Sequence, residues 1–322
     1  MSLYINQTTQ RVGSCSTYNN MDKELKYREK RIDSLEDKFS GKRLNRFLYA
    51  IELPTNILNN FKTAVYEYVA KAIKVNVINH IELTEAIDNN KHSRVNVTPN
   101  GGVVPKVESQ LEFNKVLKSW HDIFAYLQKK NAFRQIRIFP SIRIKESKDS
   151  IKSTSRPFST SYPHSDSWVD GYWGLNLHIP LFGDVKNNCL KYYELKNDNL
   201  FDKKMLGYSQ GFDKMQWVLN DFKIIENLKA PKDYLCVSDY LLLHNTTRTP
   251  GAKSRVSVDS SVLIGDHNEK DFDDEYTSCI PEFGTKKKYV TTMRDGEFVN
   301  KKKSTEGFSF IGSTIENEHT NF

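Results

Sequence analysis

Residues 135–144 read QIRIFPSIRI. Ile136, Ile138, Ile142 and Ile144 fall on one side of an extended chain, with Arg137, Phe139, Ser141 and Arg143 on the other, the period-two pattern of a strand. Immediately upstream the period is different. Phe113, Leu117, Trp120, Phe124 and Leu127 recur at four, three, four, three, which predicts a helix with one buried face. Ser109 and Glu112 precede it with the S-x-x-E spacing of a capping box. Further strands are expected at 174–182, 188–194, 234–244 and 255–265, separated by loops rich in Ser, Asp, Asn and Gly. Helices come first and strands after, without strand–helix alternation or internal repeat. That order predicts a mainly β fold, an antiparallel sandwich or barrel with helices packed outside.

Outward from this stretch, Pro54 and Thr55 introduce Ile57, Phe61, Val65, Val69 and Ile73, a second apolar stripe at helical spacing. Residues 1–44 are polar and then densely charged from Asp22 to Arg43, and predict a mobile arm followed by a solvated helix. One domain is expected over 45–275, and residues 276–322 form a C-terminal extension. With 322 residues and 38% hydrophobic side chains, a sizeable core can be buried and wholesale disorder is excluded. No apolar run reaches the roughly 20 residues that span a bilayer, and the start lacks the pattern of a secretory leader. The four cysteines form no CxxC pair, which suits a reduced, cytoplasmic protein. Of the net charge of +7, a surplus of five sits in residues 285–303 (seven Lys and Arg against Asp295 and Glu297). A nucleic-acid groove spreads its cations over a folded face instead, so nucleic acid is not the expected partner.

Three signals carry chemistry. His164 and Asp166 in SYPHSDSW (161–168) share a side of an extended chain, where imidazole and carboxylate can grip one metal. His244 ends the apolar run of VSDYLLLHNT (237–246). Two histidines and a carboxylate form the facial triad of non-haem Fe(II) oxygenases, which leaves three positions open. Arg255 and Ser257 in SRVSVD (254–259) again share a face, and a planar guanidinium with a hydroxyl suits the far end of a buried dicarboxylate such as 2-oxoglutarate. Taken singly, each has a plain alternative: a surface loop, a strand-capping histidine, an exposed arginine. Their order along predicted strands favours the chemical reading.

On these motifs, with RPFSTSYPHSDSW, NLHIPL and VSDYLLLHNTTR, the stretch from Gln135 to Ile264 resembles the Fe(II)/2-oxoglutarate-dependent dioxygenases. It is similar to the phytanoyl-CoA-hydroxylase-like oxygenases of sugar and antibiotic biosynthesis clusters. The P-G-S-H form of the distal histidine segment carried by many such relatives is absent. The resemblance implies a double-stranded β-helix (jelly-roll, cupin-like) core with Fe(II) on His164, Asp166 and His244. It also implies 2-oxoglutarate on Arg255 and Ser257, O₂ as co-substrate, and release of succinate and CO₂. Asp166 sets the chain apart from halogenases of that superfamily, which replace the carboxylate. The expected activity is hydroxylation of a small polar metabolite, a sugar or nucleotide-sugar derivative among the candidates. The rival is a non-catalytic cupin-like jelly roll that binds metal or sugar. A homodimer is compatible with either.

Other residues are weaker candidates. Asn176, on the polar side of its strand, is placed to touch 2-oxoglutarate near the metal, or simply to pack. Arg143 is a candidate for a substrate carboxylate or phosphate, and a surface arginine otherwise. Trp168 and Tyr172, close behind Asp166, are candidates for a substrate wall, though core packing would explain them comparably. Arg248 lies in the turn-like NTTRTPG, where a strand is not expected.

Overall fold

The computed structural model describes residues 15–128, 130, 133–137, 140–147, 156–170, 172–264, 292–294 and 297–298. The helices are α1 (Cys15–Glu36), α2 (Thr55–Ala72), α3 (His80–Asp88), α4 (Gln110–Gln128) and the single turn α5 (Ser167–Asp170). The strands are β1 (Gly41–Asn45), β2 (Leu48–Ile51), β3 (Phe133–Arg137), β4 (Ser141–Lys145), β5 (Leu175–Gly183) and β6 (Asn188–Leu195). They continue with β7 (Phe222–Ile224), β8 (Leu235–Asp239), β9 (Leu243–Arg248), β10 (Arg255–Ile264) and the short β11 (Thr292–Arg294) and β12 (Glu297–Phe298), which extend the sheet beyond β3.

All these pairings are antiparallel. The large sheet runs β1-β2-β8-β5-β10, where β3 and β4 both pair along the outer edge of β10. The small sheet runs β7-β6-β9, and residues 160–164 lie along the free edge of β9 through Thr246 N–Thr160 O (3.1 Å) and a His164–His244 bridge. From β4 to β10 the chain therefore crosses between two facing sheets at every step except the β6–β7 pair: β4, β5, β8 and β10 lie in one, residues 160–164, β6, β7 and β9 in the other. That path is a double-stranded β-helix, a jelly roll.

Strand alternation decides what faces where. On β5, Leu175, Leu177, Ile179 and Leu181 pack outward into one core with Ile142, Ile144, Val256 and Val258. α2 and α4 cover that face, and the Phe61 and Trp120 rings lie 5.6 Å apart. Each fully buried large apolar side chain contributes roughly 1.5–3 kcal/mol. The alternate residues (Asn176, His178, Arg143, Lys145, Asp259) are thereby turned into the barrel. The interior is polar because the outer face takes the apolar residues.

Several local expectations are corrected. The strand expected through 135–144 is two strands, because Pro140 offers no donor to continue the ladder. The run 234–244 likewise breaks: β8 ends at Asp239, a turn follows through buried Tyr240, Leu241 and Leu242, and β9 begins in the opposite sheet. Arg248 belongs to β9, and its Nε donates to Glu146 O at 2.7 Å. The Ser109 hydroxyl bonds Lys106 rather than capping α4. Helix α1 is not solvated. Leu25, Arg28, Arg31, Ile32 and Leu35 are buried, and Asp239 accepts from Arg28 (3.0 Å) and Arg31. Residues 1–14 of the expected arm, and the tail apart from 292–294 and 297–298, lie outside the described residues.

Candidate metal centre and its cavity

His164 and His244 form a reciprocal antiparallel pair: each backbone N–H donates to the other's carbonyl at 2.9 Å. Directly opposed residues project to the same face, so the two rings meet with centroids 4.4 Å apart. Two residues later the chain turns into α5, whose last two amides bond Asp166 O (Val169 at 3.1 Å, Asp170 at 2.8 Å). This turn swings the Asp166 carboxylate back over the histidines. His164 Nε2 lies 3.8 Å from Asp166 Oδ1, and His244 Nε2 lies 3.9 Å from Oδ2. One donor atom from each residue falls within 4.8 Å of the others.

The donor chemistry fits a divalent metal. His164 Nδ1 is 2.8 Å from Tyr162 O; a carbonyl only accepts, so Nδ1 carries the proton and Nε2 presents its lone pair. Burial, then the neighbouring His244, hold the His164 pKa well below the usual imidazole range, which keeps the ring neutral as a ligand must be. Asn176 Nδ2 donates to Asp166 Oδ2 and orients the carboxylate. Burial, helped by Asp170 and Asp259, raises the Asp166 pKa; a bound cation relieves that cost.

These groups open onto a cavity of about 230 Å³. Along its wall, β6 and β9 pair Tyr192 with His244, Leu190 with Thr246 and Asn188 with Arg248. Leu190 and Thr246 thus line the way from His244 toward Arg255, whose guanidinium donates to Asn188 O at 3.0 Å. The span is four residues, about 13 Å of strand. Gly183, at φ +78° beside the Ser254 carbonyl, admits the close strand approach there: a Cβ would sit 2.1 Å from that oxygen. Arg255 is 1% exposed and its Nε lacks a partner. Across the ladder is Lys145, buried, with Nζ on Asn100 O and Thr160 Oγ1 (both 2.9 Å). Burial, then Arg143 and Arg255, push the Lys145 pKa well down. Among the described residues neither cation has a carboxylate partner, and a buried charge without one is costly.

No protein-family model matches the chain, nor does any curated protein. Solved structures do. One is the non-haem α-ketoglutarate-dependent epimerase SnoN from nogalamycin biosynthesis, at 11% identity and TM-score 0.38, covering 84% of this chain and 98% of that one. Another is the carbocyclase SnoK from the same biosynthesis, at 8% identity and TM-score 0.36, covering 73% and 83%. A third is an N-substituted L-amino acid dioxygenase from Burkholderia ambifaria AMMD in complex with α-ketoglutarate, at 9% identity and TM-score 0.33, covering 68% and 86%.

The structure brings His164, Asp166, His244, Asn176, Arg143 and Arg255 onto one cavity. Ser257 is buried with an unpartnered hydroxyl but is not on that wall. The substrate wall expected from Trp168 and Tyr172 is corrected. Trp168 is fully buried, with Nε1 donating to Met205 O at 2.7 Å. Tyr172 packs under the Arg28 guanidinium, 4.4 Å from its ring centroid, and donates its hydroxyl to Glu24. Their apolar bulk serves the core beneath α1, and Phe158, Val169 and Phe212 line the cavity instead. Lys145 and Asp259 were unforeseen, although one more step of the strand period from Arg143, and two from Arg255, reach them. Phe212 carries no such signal, since it arrives from a 3₁₀ segment (Phe212–Asp221) far along the chain.

Proposed function

We propose that this protein is a non-haem Fe(II)/2-oxoglutarate-dependent oxygenase that hydroxylates an unactivated C–H bond of a small polar metabolite, sugar and nucleotide-sugar derivatives among the candidates. The observation that carries the reading is the pairing of two features in one cavity: a His-Asp-His donor set at one end and a buried arginine with no carboxylate in contact at the other. His164, Asp166 and His244 would hold the metal, which, once bound, supplies the oxidising chemistry with O₂ and 2-oxoglutarate. The protein's own residues do the rest. Tyr162 O and Asn176 fix the ligands in place. Arg255 presents a guanidinium to the distal carboxylate of 2-oxoglutarate, and Lys145 stands across the ladder from it. The aromatic wall keeps bulk water from one side of the metal.

The test is succinate formation from 2-oxoglutarate under air, followed by mass spectrometry with and without Fe(II), alongside a metabolite panel screened for gain of one oxygen. Iron-dependent succinate is expected from the wild type, with loss of at least about a hundredfold in His164→Ala and Asp166→Ala at unchanged melting temperature. Equal succinate with and without iron, or from the triad variants, would refute the oxygenase reading.

A further inference from the structure

We propose that Arg143 is the docking point for an anionic group of the substrate, a carboxylate or a phosphate monoester, whose apolar body lies against Phe158, Val169 and Phe212. The inference rests on the metal and 2-oxoglutarate reading above and names the class of molecule that completes the site.

Arg143 is not a surface arginine, and its one carboxylate contact leaves most of its fork unused. It projects from β4 into the barrel with 26% of its side chain exposed, and it lines the cavity. Its Nε is ion-paired with Asp259 Oδ2 at 2.7 Å, and the other Asp259 oxygen is 2.6 Å from His178 Nδ1. Asp259 is thus held from two sides and fixes the plane of the guanidinium. Both terminal nitrogens are left with no protein partner among the described residues. A guanidinium fork held this way is preorganised for an oxyanion.

Its position separates it from the co-substrate end. In the β4–β10 ladder, Lys145 faces Arg255 and Arg143 faces Ser257. Farther along β10, Ser261 lies opposite Asn176, the residue that touches Asp166. Arg143 therefore stands nearer the metal end than the buried Arg255, and unlike Arg255 it is reachable from the cavity mouth. A dicarboxylate seated on Arg255 leaves Arg143 for a second molecule.

The apolar wall supplies the rest of the substrate class. Phe158 (39% exposed) and Val169 (37% exposed) are both open to ligand. Phe158 meets Phe212 edge-on at 5.5 Å, and Phe212 stacks on the His164 ring at 4.1 Å. Apolar surface thus runs up to a metal ligand. A molecule anchored at Arg143 and resting on these rings passes over the metal, which is where the reacting C–H bond must lie.

The experiment uses the full chain loaded with Mn(II) and 2-oxoglutarate without oxygen. Paramagnetic broadening by Mn(II) reports which ring protons approach the metal. The probes are phenylacetate, phenyl phosphate and neutral phenylacetamide. At least one anionic probe should broaden at about tenfold lower concentration than the amide, and the better anion tells carboxylate from phosphate. Arg143→Gln should erase that preference, Arg143→Lys should keep part of it, and 2-oxoglutarate affinity should shift by no more than about threefold in either. Equal broadening by all three probes in the wild type overturns the inference while leaving the oxygenase reading in place. So does a preference that survives Arg143→Gln, or a loss that falls equally on 2-oxoglutarate. A wild type that takes up neither Mn(II) nor 2-oxoglutarate instead removes the metal reading on which the inference stands.

Discussion

Two clusters of buried cations, one beneath α1 and one in the cavity, are built by different rules. Beneath α1, Arg28 and Arg31 both reach Asp239, Arg28 also donates to Tyr172 O and Arg31 to Trp173 O, and Arg28 pairs with Glu24 at 3.0 Å. Burial opposes the Arg28 charge, yet Asp239, Tyr172 and Glu24 outweigh it and raise its pKa, whereas burial and the neighbouring Arg28 leave the Arg31 pKa lowered despite Asp239, so it is the carboxylate contact that marks this cluster. In the cavity, Arg255 and Lys145 lie side by side without a carboxylate of their own, and burial lowers the pKa of each. The difference teaches how to tell a structural charge from a waiting one. Among fully buried arginines, a structural one is matched within the fold, whereas one kept for a ligand is buried at a loss that the ligand makes good.

The comparison breaks most sharply at Asp239. Asp239→Ala would strand two buried guanidiniums and should destabilise the protein by about 3–5 kcal/mol in a denaturant titration. The acid limb of stability should change with it. Burial alone would raise the Asp239 pKa, but Arg28 and Arg31 bring it below the ordinary carboxylate value. Its contribution is therefore present above the unfolded-state pKa and lost as pH falls through the lower folded value. A loss under about 1 kcal/mol would show that α1 is not anchored there.

Arg255 should behave in the opposite sense. Arg255→Met removes a costly buried charge and keeps much of the volume, so the melting temperature without ligand should stay level or rise. The same variant should weaken 2-oxoglutarate by about 2–5 kcal/mol. A protein that instead melts early and still binds 2-oxoglutarate would place Arg255 with the structural arginines.

Much of this was legible in the sequence where the signal is local. The period switch near residue 130 marks helices giving way to strands, and α2 and α4 follow their apolar stripes. The H-x-D and distal histidine are brought together as their spacing suggests, although Asp166 gets there by a helical turn rather than an extended chain. What escaped is non-local. Arg28 reads as a solvated charge because its partner Asp239 lies 211 positions away. Tyr240 to Leu242 read as strand because a turn buried between two sheets is as apolar as a strand. Trp168 and Tyr172 stand close to Asp166 in sequence, but α5 turns them into the core, and the cavity aromatics arrive from elsewhere.

The most direct measurement of the central claim is the affinity of 2-oxoglutarate, titrated calorimetrically into the wild-type protein without oxygen, with and without Fe(II). If the triad and Arg255 are two ends of one site, the metal should tighten 2-oxoglutarate by at least about tenfold, and iron binding should tighten reciprocally with 2-oxoglutarate present. Affinity that is the same with and without iron would contradict a shared site and leave the three ligands and the buried arginine as unrelated features of the barrel.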